Sequence, residues 1–310
     1  MEALKCMYSI VLPVYNEEET LPELFRRLDD TMKGLGEPYE VICIDDGSTD
    51  SSFEILERAA EKDPSYKVIK LSKNFGHQIA ITAGLEASQG EAVIVLDADL
   101  QDPPEFIPDL AAKWKEGYDV VYAIRRKRPE SFLRNLTIKT AYRIINRVSK
   151  INIPVDTGDF RLMSKRVVDS LKNIKERTRY LRGLSWWVGF KQIGIDYERE
   201  KRFAGKTKYS LWRLIKLALD GVTTFSYFPL QIAIYLGFFV SVLSVAMIVY
   251  LIIIKFMGLQ IQGWISVMVS IFFFGGVQLF TFGIFGEYIG RIYEEVKQRP
   301  MYLVDRKINI

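Results

Sequence analysis

Two long stretches without a charged residue constrain this chain more than any other feature. From Gly221 to Ile254, and again from Phe256 to Gly286, there is no Asp, Glu, Lys or Arg, and only Lys255 stands between them. A helix needs about 20 apolar residues to cross a hydrocarbon core of roughly 30 Å. Each stretch is long enough, and the pattern predicts membrane spans near 229–254 and 264–286, with Trp264 and Tyr288 as interfacial anchors. Buried core helices would not need so long a run without charge. Basic residues set the orientation. Arg199, Lys201, Arg202, Lys206, Lys208, Arg213 and Lys216 precede the first span, and Arg291, Lys297, Arg299, Arg306 and Lys307 follow the second. The positive-inside rule then puts both termini and the first 220 residues in the cytoplasm, at a cytoplasmic (inner) membrane. The short apolar run Tyr8–Tyr15 passes straight into Asn16-Glu17-Glu18-Glu19, so it does not read as a signal peptide.

Composition removes several classes of function. Lys+Arg 42 against Asp+Glu 38 gives +4, too mild an excess for a nucleic-acid binder. Cys6 and Cys43 cannot build a disulfide framework or a zinc site; they read as reduced, small core residues on adjacent strands. The single histidine, His77, argues against histidine-built metal sites and Ser-His-Asp triads.

The first 220 residues alternate strand and helix signals. Tyr8–Val14, Tyr39–Ile44, Lys67–Leu71, Ala92–Leu96 and Val120–Ala123 read as buried strands. Between them, Leu21, Leu24, Phe25, Leu28 and Met32 share one helical face, as do Phe53, Leu56 and Ala60. This alternation predicts an α/β fold with a mostly parallel, doubly wound sheet, which binds ligands beyond the carboxyl ends of its strands. Residues 131–149 and 209–219 predict basic amphipathic helices. Such helices can lie in a membrane interface; the second adjoins a span, while the first reads equally well as a surface helix over the core.

Acidic and polar clusters sit where the strands end: Asn16-Glu17-Glu18, Asp45-Asp46-Gly47-Ser48-Thr49-Asp50, and Asp97 through Glu105. Taken alone, Asp50 reads as a helix cap. Three clusters at one sheet edge repel one another unless a cation or ligand is present. Carboxylates two residues apart, as in Asp97-Ala98-Asp99, can address one hard divalent cation, and Mg²⁺ or Mn²⁺ takes oxygen ligands and bridges substrate phosphates. The run Arg125-Arg126-Lys127-Arg128 could hold phosphates or anionic headgroups, and Lys127 and Arg128 read as a solvated basic face.

These strings carry a resemblance. Val11 through Glu18, Asp45 through Asp50, Phe75-Gly76-His77-Gln78 and Asp97 through Glu105 resemble glycosyltransferase family 2. Asp156-Thr157-Gly158-Asp159-Phe160-Arg161-Leu162 and Arg202 through Tyr209 are similar to the polyisoprenyl-phosphate glycosyltransferases, the bactoprenol glucosyltransferase and dolichyl-phosphate mannose synthase group. The two terminal spans and Arg299-Pro300-Met301-Tyr302 resemble the bactoprenol branch.

The resemblance implies a Rossmann-like GT-A catalytic domain over residues 1–220, a membrane region over 221–290 and a cytoplasmic tail over 291–310. It implies a nucleotide-sugar donor, a UDP-sugar and most simply UDP-glucose, a divalent cation (Mg²⁺ or Mn²⁺) and a polyprenyl-phosphate acceptor, undecaprenyl phosphate. By motif, Pro13, Tyr15, Glu17 and Asp46 would line the nucleoside pocket with Asp45 beside them. Asp99 and Gln101 would meet the metal with Asp97, and Arg125, Arg202 and Lys206 would meet phosphates. Asp159 matches the acidic position on the acceptor side. An acceptor phosphate monoester, with a second pKa of about 6, is already anionic near neutral pH, which leaves Asp159 open as either a base or a positioning group. His77 reads as a helix-start residue packed near the nucleotide. Arg182-Gly183-Leu184-Ser185-Trp186-Trp187 lacks the Gln-x-x-Arg-Trp register of processive polysaccharide synthases, and two spans are too few to enclose a channel. That argues against polymer synthesis, as the intact acidic strings argue against a silent, partner-binding membrane subunit. Gly275-Gly276 and Gly283 in the second span raise homo-oligomerisation as an expectation.

Overall fold

The computed structural model describes residues 6–125, 157–177, 179–198, 228–257 and 263–310. The two basic amphipathic helices expected at 131–149 and 209–219, the run 126–128, and Arg202 and Lys206 lie outside these. The described residues fall into two compact units, one of 6–125, 157–177, 179–198 and 299–310, the other of 228–257 and 263–298.

In the first unit, continuous apolar runs become central strands because a strand covered on both faces has no solvent side to alternate with. Strand β1 (Tyr8–Val14) is buried at every position. It pairs in parallel with β2 (Tyr39–Asp45) on one side and β4 (Ala92–Val95) on the other, and β2 pairs in parallel with β3 (Tyr66–Leu71). Beyond β4 lie β6 (Thr157–Ser164), antiparallel to both neighbours, then β5 (Val120–Arg125) and β7 (Gln192–Tyr197), which are mutually parallel. On the far side β8 (Val304–Ile308) runs antiparallel to β3. The order is β7-β5-β6-β4-β1-β2-β3-β8.

Helices cover both faces. Leu21, Leu24, Leu28 and Met32 of α1 (Leu21–Leu35), Leu56 of α2 (Ser52–Lys62) and Leu110 of α4 (Ile107–Lys115) share one core with Ile10, Leu12 and Cys43. Ala80 and Ala83 of α3 (His77–Ala87) pack on the other face, against Ile42, Ile44 and Ile69. Here α3 lies so close to β1 that a Cβ on Gly84 would come 2.2 Å from Val11 Cγ1. Phe25 reaches across to the Tyr66 ring at 5.0 Å. Helix α5 (Lys165–Asn173) buries Val167, Val168 and Leu171, and α6 (Leu181–Trp187) buries Leu181 and Leu184.

Strands β6, β7 and β8 are not legible from periodicity, and each has a physical reason. Thr157–Ser164 carries Asp159 and Arg161 inside a fully buried strand. Gln192–Tyr197 is a half-exposed edge. Val304–Ile308, Val-Asp-Arg-Lys-Ile, is charged and exposed, as an outer strand must be to discourage further pairing. Both thiols are free; Cys43 lies within β2, while Cys6 precedes β1. Burial pushes the Cys6 thiol up to about 11, so it stays protonated.

The chain's last residues are fastened into this unit. Tyr302 Oη donates to Glu86 Oε2 at 2.6 Å, Ser72 N donates to the Leu303 carbonyl at 2.9 Å, and Arg306 pairs with Glu57 at 2.7 Å. Asn309 takes a left-handed conformation (φ 60°), which its residue type tolerates, and its Nδ2 donates to the Ala60 and Tyr66 carbonyls at 2.8 and 2.9 Å. Asn309→Ala is expected to cost about 1 kcal/mol, read as a small fall in the Tm of detergent-solubilised protein. A fall of several kcal/mol would mean that the whole strand detaches.

The second unit contains α7 (Phe228–Phe256) and α8 (Trp264–Val296). Pro229–Ile254 and Ser266–Val296, with mean hydropathies of 2.7 and 2.0, are long and apolar enough to cross a membrane. Helix α8 runs on past the apolar stretch to Val296, its last turns carrying a Glu287–Arg291 pair at 2.9 Å.

Candidate active site

Chain reversal after each parallel strand delivers the acidic strings to one edge of the sheet. The turns after β1 and β2 are laced together by their own polar side chains. Asn16, left-handed at φ 55°, donates its N to Ser48 Oγ at 3.1 Å and accepts Thr49 N at 2.8 Å. Glu17 N donates to Ser52 Oγ at 2.8 Å, and Glu17 Oε2 accepts the Thr20 hydroxyl at 3.0 Å. Asp50 accepts Ser52 N at 3.0 Å and Glu18 N at 3.3 Å. The cap position of α2 is Ser51, while the Asp50 carboxylate serves that helix's first N–H and also the neighbouring turn. Pro13 is buried at the end of β1, and Tyr15 is 46% exposed beside it.

Asp45 and Asp46 do different things. Asp45 Oδ1 accepts Ser48 N at 3.2 Å, while its buried Oδ2 has no hydrogen-bond partner. Asp46 Oδ1 accepts Phe75 N at 2.7 Å and Oδ2 accepts Gly76 N at 2.9 Å, which fastens the loop that begins α3. Burial pushes both carboxyls up. This loop leaves no room over Gly47. Its φ is +70°, and a Cβ there would meet Asn74 N and the Lys73 carbonyl carbon at 2.6 Å. Gly47→Ala is therefore expected to destabilise by about 1–3 kcal/mol, measured by thermal unfolding. An unchanged Tm would mean the 73–76 loop yields freely.

The string after β4 turns sharply. Leu100 is left-handed at φ 56°, an uncommon conformation for Leu, and is held there with its side chain fully buried. Asp99 Oδ1 accepts Gln101 N at 3.1 Å. Asp102 is buried, accepts the Tyr197 hydroxyl on Oδ1 and lies 3.5 Å from Arg125 Nη2 on Oδ2; Arg125 Nε also donates to Tyr197 Oη at 3.2 Å. Arg125 is thus tied into the acidic loop from the end of β5.

Asp97 and Asp159 face each other across His77. The His77 Nε2 lies 3.4 Å from Asp97 Oδ1 and 3.3 Å from Asp159 Oδ2. Asp159 also accepts Arg182 Nε at 2.9 Å, Arg182 Nη2 at 3.0 Å and Gln78 Nε2 at 3.1 Å. Burial opposes its ionisation, yet Arg182 and His77 outweigh burial and hold the carboxyl well below the usual range. Burial likewise opposes the charged form of His77, but Asp159 and Asp97 raise it to about 9. Asp97 moves the other way. Burial, with the carboxylates of Asp102, Asp159 and Asp99, outweighs the opposing charge of His77 and raises it to about 6, and its buried Oδ1 makes no hydrogen bond. A buried carboxylate oxygen that meets His77 Nε2 only at 3.4 Å, among anions that raise its proton affinity, suits an oxygen-seeking cation. Among the described residues, no three Asp, Glu, His or Cys side chains converge into a ready-made metal cage.

His77, Gln78 and Arg182 therefore stand at the centre of the site, although sequence reasoning gave them minor places. His77 and Gln78 were within reach, since they open a helix inside one of the resembling strings. Arg182 was not, because no period or spacing ties it to a carboxylate 23 residues away.

The alternating signals predict a mostly parallel sheet, but the sheet is mixed, because β6 and β8 run antiparallel to their neighbours. Its parallel core β3-β2-β1-β4, with polar and acidic loops gathered beyond the carboxyl ends of those strands, is the architecture of a ligand-binding α/β enzyme. The chain belongs to glycosyl transferase family 2, whose profile matches residues 9–172, and it is a glycosyltransferase with the GT-A-like sheet of that family. It is 48% identical over 305 residues to the uncharacterized glycosyltransferase YkcC of Bacillus subtilis, covering 98% of this chain and 94% of that one. It is 41% identical over 300 residues to the SfII prophage-derived bactoprenol glucosyl transferase of Shigella flexneri, covering 96% and 97%. The glucosyl-3-phosphoglycerate synthase of Mycobacterium tuberculosis, solved with Mn²⁺, UDP-glucose and phosphoglyceric acid, matches at 20% identity and a TM-score of 0.48 over 71% of this chain and 78% of that one. That likeness is too slight to bear on substrate.

Proposed function

We propose that this enzyme transfers one sugar, glucose from UDP-glucose, to undecaprenyl phosphate at the cytoplasmic face of the membrane, inverting the anomeric carbon. Residues 1–220, completed by the returning tail, would carry catalysis, and 221–290 would span the membrane. The observation that carries the reading is the gathering of Asp97, Asp99, Asp102 and Asp159, in which the buried Oδ1 of the half-buried Asp97 makes no hydrogen bond and meets His77 Nε2 only at 3.4 Å. Such a cluster suits a divalent cation, through which an anionic ligand can bind. The bactoprenol glucosyl transferase relatives support the acceptor and the sugar. The apolar helices support a lipid-borne acceptor. Strand β8 follows both apolar helices yet pairs with β3, which precedes them, so an even number of crossings must separate the two. That parity supports two spans with both termini on one side, and the basic flanks favour the cytoplasm.

In this reading the buried edge at Pro13, the exposed ring of Tyr15, Glu17 and the turn carrying Asp45 line the nucleoside site, which Asp46 shapes by fixing the loop at Phe75 and Gly76. Asp99 and Gln101, with Asp97 beside them, would hold the Mg²⁺ or Mn²⁺ whose charge offsets that developing on the departing diphosphate. Arg125, Arg202 and Lys206 add positive charge toward phosphates. The acceptor is already an anion, so alignment and charge stabilisation are the main requirements on the protein.

The test is a donor screen. Full-length protein in detergent, with Mn²⁺ and undecaprenyl phosphate, receives a series of labelled UDP- and GDP-sugars. Label from UDP-glucose in a mild-acid-labile lipid, abolished by chelator, is the expected result. Label from another donor alone would replace the sugar, polymer would point to a processive enzyme, and no lipid label from any donor with a folded protein would overturn the reading.

A further inference from the structure

Asp159 is held from three sides. It lies on β6 with its side chain 5% exposed. Arg182, in the first turn of α6, takes one of its oxygens with Nε at 2.9 Å and the other with Nη2 at 3.0 Å. Gln78, in the first turn of α3, donates Nε2 to Oδ2 at 3.1 Å, and His77 Nε2 lies 3.3 Å from the same oxygen. Gln78 is itself fixed, because its Oε1 accepts Leu181 N at 3.1 Å and so joins the start of α3 to the start of α6. The backbone beneath is also pinned, with Arg161 donating Nη2 to the Gly158 carbonyl at 2.9 Å and its Nη1 to Ser185 Oγ of α6.

A carboxylate whose two oxygens already meet this many donors has little basicity left, and a phosphate monoester acceptor asks for none. What it has is a fixed orientation. The planar fork of Arg182 sets the direction of both oxygens, which a single ammonium could not do. Orientation matters because Asp159 Oδ2 and Asp97 Oδ1 share one imidazole nitrogen at 3.3 and 3.4 Å. Turning Asp159 therefore turns His77 and changes what faces Asp97.

We propose that Arg182 and Gln78 are positioning residues that lock Asp159 between β6, α3 and α6, and that Asp159 serves there as a fixed anchor for His77 beside Asp97, not as the base of the reaction. The catalytic part of this statement rests on the transfer reaction proposed above; the structural part does not.

Two readouts test it in the full-length protein in detergent. The chain has one histidine, so histidine-labelled protein gives one set of imidazole resonances, observed at fixed pH without ligand. Arg182→Ala is expected to move that resonance, and guanidinium ion at sub-denaturing concentration to return it toward the wild-type position. In the transfer assay Arg182→Ala is expected to lower kcat about 100-fold, as a displacement of about 1 Å does, with donor KM changed by less than about threefold. Added guanidinium is expected to restore part of kcat, while Arg182→Lys keeps most of the loss. Should Arg182→Ala not fold, Arg182→Lys and Gln78→Leu carry the same histidine readout. An unmoved resonance overturns the proposal, as does a joint fall of kcat, donor affinity and Tm without any response to guanidinium. If the wild type transfers nothing to polyprenyl phosphate, the functional reading fails while the histidine resonance still decides the positioning role.

Discussion

Asp97→Asn is expected to lower sugar transfer on the order of 10³-fold while making the metal-free protein more stable. The two effects have one cause. In the fold Asp97 is raised to about 6 by burial and by the carboxylates of Asp102, Asp159 and Asp99, against an ordinary value of about 3.9. An acid whose folded value is raised penalises the fold when ionised. The penalty is absent below about pH 4 and complete above about pH 6. Asparagine keeps the shape and removes the charge, so the variant should unfold at higher temperature than wild type at pH 7.5. At pH 4 to 5 the difference should shrink. Each kcal/mol relieved is worth about 2–4 °C in Tm for a unit of this size. Thermal unfolding in chelator at both pH values, beside the transfer assay, checks the pair. Asp99→Ala is the matched variant and should lose transfer to the same degree. Retained transfer in either would remove the acidic cluster from the chemistry.

The largest loss of stability is expected at the opposite edge of the same sheet. Glu40, at the start of β2, is buried and accepts the Ser9 hydroxyl and Gln89 N (2.8 Å) on Oε1, while Lys67 Nζ lies 2.6 Å from Oε2. Ser9 Oγ in turn accepts Gly90 N at 2.8 Å. Removing the carboxylate strands a largely buried ammonium and leaves the Ser9 hydroxyl without its acceptor. Glu40→Ala should therefore cost about 3–5 kcal/mol, seen as a large fall in Tm with little change in turnover per folded molecule. Changing both partners, Glu40→Leu with Lys67→Met, should recover much of that loss, because an apolar pair leaves no charge uncompensated. Equal destabilisation by the single and double variants would mean that strand packing, not the ion pair, sets the cost.

How far the sequence reaches depends on what each residue answers to. Tyr8–Val14 and Leu21, Leu24, Leu28 and Met32 obey one force, burial, and their periodicity is readable to the residue. Asp97, Asp99 and Asp45 sit in turns whose local composition announces them. Thr157–Ser164 is harder, since its buried Asp159 and Arg161 break the apolar pattern of a central strand, and only a motif singled it out. Arg182, Tyr197 and Asp102 draw their meaning from partners distant in the chain, which no local pattern encodes. His77 shows the middle case. Its place at a helix start was legible, but its place between two carboxylates depends on α3 packing against β1 at Gly84.

Strand β8 bears on how the molecule is made. The edge of β3 that it covers is complete only once residues 304–308 exist, and these are synthesised after both apolar helices. Throughout that interval the nascent catalytic sheet presents an open row of backbone groups, the geometry that invites pairing with other chains. Lys70 on β3 places a charge beside that edge, a safeguard suited to a strand that must wait for its partner. Biogenesis of the enzyme is therefore ordered. Both apolar helices are made before the sheet can close, and a catalytic unit cut free of its tail would carry an unguarded seam.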